Sequence, residues 1–139
     1  MYEPIRSKSV HTSADNADFP HRSREDELDI QLAGHLAALL AVTDELGLTA
    51  LGERIAQQVA RLRSAPPARH AGRSEASPAA LHRRAHALAG RALVVAASRA
   101  DTAVAILAAE AMDTHAAALA APAAALAAPA APTVLVGAP

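Results

Sequence analysis

Apolar side chains recur every three or four residues between Leu28 and Leu46. Leu28, Leu32, Leu36, Leu39, Val42 and Leu46 fall within one arc of a helical wheel, while Asp29, Asp44 and Glu45 fall outside it. The pattern predicts an amphipathic core helix. Ser23 marks its start, because its hydroxyl can accept from the third backbone N–H beyond it, and Glu25, Asp26, Glu27 and Asp29 suit the positive end of the helix dipole. The predicted helix covers 23–46 and stops at Gly47, which takes the left-handed conformation at little cost. Thr49 reads as the cap of a shorter helix over 49–63, with Leu51, Ile55, Val59 and Leu62 as its apolar stripe.

Residues 64–77 hold Pro66, Pro67 and Gly72 among Ser and Arg, a composition that reads as a linker in which the chain is free to change direction. Ser77 followed by Pro78 is a strong helix start, since proline at the first helical position gives up only an N–H that would be unpaired anyway. One long helix over 78–119 is the first expectation, and a break near Asp101 the second. Its apolar arc is wide and has Ala85, Ala89, Ala92, Ala96 and Ala103 at its centre. Leu81, Leu88, Val95 and Ile106 line one edge, and Leu93, Val104 and Leu107 the other. Small residues along a seam let a second backbone approach closely. The expected fold is therefore all-α, a three-helix bundle with a long third helix. That helix exceeds its two partners in length, so its uncovered surface, centred on Ala85, Ala89, Ala92, Ala96, Leu93, Val104 and Leu107, is the candidate interaction face.

The flanks have no such period. Residues 1–22 mix Ser, His, Asp and Pro with isolated apolar residues and lack the apolar stretch of a signal peptide, so they read as a disordered arm. Residues 121–139 alternate Ala with Pro122, Pro129, Pro132 and Pro139 and read as a disordered tail. The absence of charge from Ala116 onward raises the question of a membrane anchor. Alanine and proline supply too little apolar area for a stable span, so no membrane partner is expected.

Composition narrows the function. A chain of 139 residues fits one small domain, and the absence of Cys removes disulfides, thiolate metal sites and cysteine nucleophiles. The 13 basic and 14 acidic residues give a net charge of -1, without the global field that draws proteins to nucleic acid or acidic bilayers. Over a quarter of the chain is Ala, which favours helix but buries little area per residue. Nucleic-acid binding would want a basic excess or stacking aromatics, and Tyr2 and Phe19 both lie outside the predicted helices. There is no Gly-rich phosphate loop, no G-x-S-x-G, and no pair of Glu-x-x-His segments. The chain reads as no enzyme and implies no cofactor.

Histidine carries the remaining candidate chemistry. His35 falls inside the apolar arc of the first helix, where a buried ring needs a hydrogen-bond partner. His82 and His86 lie one helical turn apart and form a candidate metal pair. Two ligands fall short of a stable site unless His35 or His115 converges on them, and Arg83 and Arg84 between them disfavour a cation. The same stretch with Arg91 also reads as a solvated basic face or an anion contact. In the arm, Ser7, Ser9, Thr12 and Ser13 beside Arg6 and Lys8 suit a docking peptide or a phosphorylation site.

The segments LDIQLAGHLAALLAVTDEL (residues 28–46) and LHRRAHALAGRALVVAASRADTAVAILAAE (residues 81–110), with the opening MYEPIR, resemble a family of small alanine-rich helical proteins from Streptomyces-type actinomycetes. The resemblance covers most of residues 1–119. It implies a cytoplasmic actinobacterial setting and transfers no activity, cofactor or site residue. The expected function is a protein–protein interaction or regulatory module, acting through a protein partner or self-association. The alternative is a ligand- or metal-responsive sensor built on the helix histidines.

Overall fold

The computed structural model describes residues 23–70, 72 and 74–127, and these form four helices and no strand. They are α1 (Arg24–Glu45), α2 (Thr49–Arg63), α3 (Pro78–Arg99) and α4 (Thr102–Ala127). The fold is all-α as expected, but the long third helix is two helices, broken at Ala100 and Asp101. The predicted arm and residues 128–139 of the predicted tail lie outside the described residues.

Local chemistry accounts for most of the boundaries. Ser23 Oγ accepts from Asp26 N at 3.1 Å, and Asp26 Oδ2 accepts from Ser23 N at 3.3 Å, a reciprocal capping box. At the other end of α1, Gly47 takes φ 75°, and Leu48 N donates back to Thr43 O at 3.2 Å. Thr49 is not a cap. Leu48 occupies the cap position of α2 with no side-chain hydrogen bond, and Thr49 is the first helical residue. Ser77 caps α3 by accepting from Ala80 N at 3.1 Å, with Pro78 in its first turn.

The break after α3 joins two motifs. Ala100 adopts a left-handed φ of 60°, Ala100 N donates to Ala97 O, and Asp101 N donates to Ala96 O at 2.8 Å, which closes α3. Asp101 then opens α4, with Oδ1 accepting from Val104 N at 3.2 Å and its carbonyl accepting from Ala105 N. Helix α4 also runs eight residues beyond the predicted end at 119. It continues through Pro122 to Ala127.

Two antiparallel hairpins result, α1–α2 and α3–α4. They pack through α1 against α3, while α2 touches α4 only lightly. Arg99 at the end of α3 bonds Asp29 near the start of α1 at 3.1 Å, so these two helices are antiparallel. Helices α2 and α3 therefore run the same way, and the linker must carry the chain back along the bundle. It is fastened on that return. Arg69 donates to Asp44 through Nε at 3.0 Å and Nη2 at 2.8 Å, and to Glu53 at 2.9 Å, while His70 N also donates to Asp44. Gly52 lies beneath this clamp, where a Cβ would stand 3.1 Å from both Arg69 Nη2 and Asp44 Oδ1.

The core combines Leu32, Leu36, Leu39, Leu40 and Val42 of α1 with Ile55 and Val59 of α2. From the second hairpin come Leu81 and Leu88 of α3, Val104 and Leu107 of α4, and alanines of both. The excess length assigned to a single third helix is absorbed when the chain folds back and α4 covers the alanine seam of α3.

Candidate functional site

Two features of the α3–α4 hairpin stand apart from ordinary core packing: an apolar outer groove at its turn and a pair of histidines toward its other end.

Seven residues were expected to form an exposed interaction face. Ala85, Ala89, Ala92, Ala96, Val104 and Leu107 are buried inside the bundle, and Leu93 is half-buried. They are brought together, but as the seam between the chain's own helices. The uncovered surface lies beside that seam at the turn end of the hairpin, and Ala96 borders both. A shallow groove of about 370 Å³ runs along Ala96, Ala97 and Ala100 of the α3 end, past Asp101 and Thr102, to Ala105, Ile106 and Ala109 of α4. Ile106 is 54% exposed, and Val94, one turn before Ala97, is 66% exposed. The stretch Thr102–Ala121 has a mean hydropathy of 1.3 with 28% of it buried, so by length and composition α4 is apolar enough to cross a membrane. Exposed Glu110 and Asp113 interrupt its outer side, and Arg54 of α2 bonds Glu110 at 2.7 Å. On a single long helix Ile106 would lie along one edge of the apolar arc; with α4 a separate helix it is exposed instead.

At the other end, His82 of α3 and His115 of α4 meet Nδ1 to Nδ1 at 2.9 Å, with ring centroids 5.2 Å apart and planes inclined at 48°. His115 is 0% exposed, and His82 and His86 are half-buried. A hydrogen bond between two ring nitrogens needs a proton on one and a lone pair on the other. His115 Nε2 is the one buried side-chain nitrogen or oxygen without a partner among the described residues. If His115 accepted at Nδ1, its own proton would sit on Nε2 as a buried, unbonded donor; if it donates at Nδ1, Nε2 keeps only an unshared lone pair. Orphaned donors are the rarer and costlier case. The favoured tautomer therefore has His115 donating from Nδ1 to His82, which carries its own proton on Nε2.

Burial pushes the His115 ring down to about 4, and His82 and His86 add to the shift as neighbouring positive charge would. His115 is thus neutral near pH 7. Thr43, the other buried polar residue, is satisfied by donating to Leu39 O at 2.7 Å. The Asp44 carboxyl is held below its usual range chiefly by its hydrogen bonds from Arg69. That clamp ties the linker to the end of α1.

Among the described residues no group of three or more His, Asp or Glu is placed to hold an ion, so the His82–His86 pair is not joined there by a third such ligand. His35 is half-buried on α1 and is not part of the His82–His115 pair. Spacing along the chain relates His82 to His86, one turn along the same helix. Its hydrogen-bond partner instead lies 33 residues away, and only the hairpin brings the two together. No family model, curated protein or solved structure matches the chain.

Proposed function

We propose that the chain is a small helical interaction module that engages a protein partner, or a second copy of itself, through the outer groove of the α3–α4 hairpin. The observation that carries this reading is the apolar side of α4, long, largely unburied and bearing the exposed Ile106. Exposed apolar surface of this kind favours contact with another apolar surface over contact with water. The alanines at the groove let a partner helix approach closely, and Ile106 supplies the bulk to anchor it.

The test compares the tagged full-length protein with a variant carrying Ala97→Glu and Ile106→Glu, which both line the groove. Both positions are exposed, so helicity and the urea midpoint should stay near wild type. Wild type is expected to retain a stoichiometric protein, or its own untagged copy, that the double variant loses. Equal retention by both would reject the groove. A wild-type protein that stays monomeric at all concentrations and retains nothing would reject the module.

A further inference from the structure

We propose that His82 and His115 form a proton-operated latch: one shared proton holds the start of α3 against the second half of α4, and a further proton parts the helices at that end. The inference is separate from the groove, which lies at the opposite end of the same hairpin.

The geometry supplies the reasons. The seam between α3 and α4 is lined mainly by alanine, and among the described residues the His82–His115 hydrogen bond is the polar side-chain contact that spans it. Alanine contacts hold little area per residue, so one polar pair weighs more here than among leucines. In the favoured tautomer a further proton on His82 falls on Nδ1 and sets two donors face to face, which ends the bond, whereas one on His115 falls on Nε2, leaving the bond but charging the ring. An imidazolium at His115 would also be cut off from water, because the ring is fully enclosed.

Among the described residues no carboxylate bonds either ring to receive that charge. On α3, His86 is half-buried, and Arg83 and Arg84 are exposed and of the same sign as the added charge. On α4, Asp113 is exposed and Glu110 is engaged by Arg54 of α2. On α1, Asp44 is held by Arg69 and Glu45 lies 3.5 Å from His70 of the linker. Glu53 of α2 is taken by Arg69, and Glu75 of the linker is exposed. None of these carboxylates bonds either ring, so a charged His115 gains most by reaching solvent. The turn end of the hairpin has independent ties in Arg61–Asp101 at 2.7 Å and the buried contacts of Ala96 and Val104. Opening is therefore confined to the histidine end.

The sign follows from the lowered pKa of His115, about 4 in the folded chain against an ordinary 6.5. Between those values the open state binds a proton that the closed state refuses, so opening rises by about tenfold per pH unit as the pH falls through the window. Hydrogen exchange of the full-length protein, corrected for intrinsic rates and read from pH 7 to 4.5, measures it segment by segment. Amides of residues 111–121 should lose protection steeply while those of 32–42 in α1 keep theirs. His115→Leu should flatten the dependence. A His115→Leu variant with the same pH dependence as wild type would overturn the latch.

If that variant does not fold, the imidazole nitrogen spectrum of wild type decides. The latch requires the His115 protonation midpoint to coincide with the loss of protection in 111–121. It is rejected if either event occurs without the other.

Discussion

The break at Ala100 and Asp101 can be tested by the sign of a single substitution. In the hairpin, Ala100 holds a left-handed φ of 60°, a conformation that costs a residue with a Cβ about 1–2 kcal/mol. Ala100→Gly removes that cost and returns about 0.4–1 kcal/mol through the greater freedom of glycine in the unfolded chain. The net expectation is a gain of about 1 kcal/mol, or a rise in Tm of about 4–8 °C for a domain of this size. In one continuous helix the same change would sit in the helix interior and lose about 1 kcal/mol. The two architectures thus differ by about 2 kcal/mol and in direction.

Asp101→Ala makes a second comparison. It removes the cap on Val104 N and should cost about 1 kcal/mol, whereas in an uninterrupted helix alanine would stabilise. Urea unfolding followed by circular dichroism measures both, with Ala97→Gly as the helix-interior control. A destabilising Ala100→Gly together with a stabilising Asp101→Ala would refute the hairpin.

Other expectations can be read in the same assay. Because the unfolded chain protonates His115 near pH 6.5 and the folded chain only near 4, stability should fall as the pH drops through that interval. The fall reaches about 3 kcal/mol and levels off below it, and His115→Leu should remove the slope. Gly52→Ala should bring little of the roughly 1 kcal/mol that alanine normally adds to a helix, because its Cβ meets the Arg69–Asp44 clamp at 3.1 Å. In an Arg69→Ala background the gain should reappear, and strict additivity of the two substitutions would contradict the contact. Leu36→Ala, at a fully buried position of α1, should cost about 2–5 kcal/mol in the urea midpoint.

Much of the first hairpin was legible in the chain. Ser23, the acidic first turn and Gly47 bound α1 because capping and left-handed turns depend on residues adjacent in sequence. Ser77 and Pro78 set the start of α3 for the same reason. The end of α3 was obscured because an alanine occupies a left-handed position where glycine is the usual signal, and only Asp101 hinted at a new start. Alanine also blurred inside and outside. On α3 and α4 it lines both the buried seam and the outer groove, so periodicity identified the stripe at Ala85, Ala89, Ala92 and Ala96 but not what would cover it. The pairing of His82 with His115 and the clamp on Asp44 depend on how distant segments meet. No local spacing encodes either.

The path of the linker has a consequence for how copies of this chain behave together. Each hairpin forms from neighbouring residues, which favours rapid assembly, but the α1–α3 interface unites two units joined only by the returning segment. That segment acts as a tether and sets the effective concentration of one hairpin for the other. While Arg69 and His70 hold it to Asp44, the intramolecular partner is favoured. Releasing the hold puts the second hairpin of the same chain in competition with that of a neighbour, so crowded conditions would favour exchanged dimers with the same α1–α3 interface formed between chains.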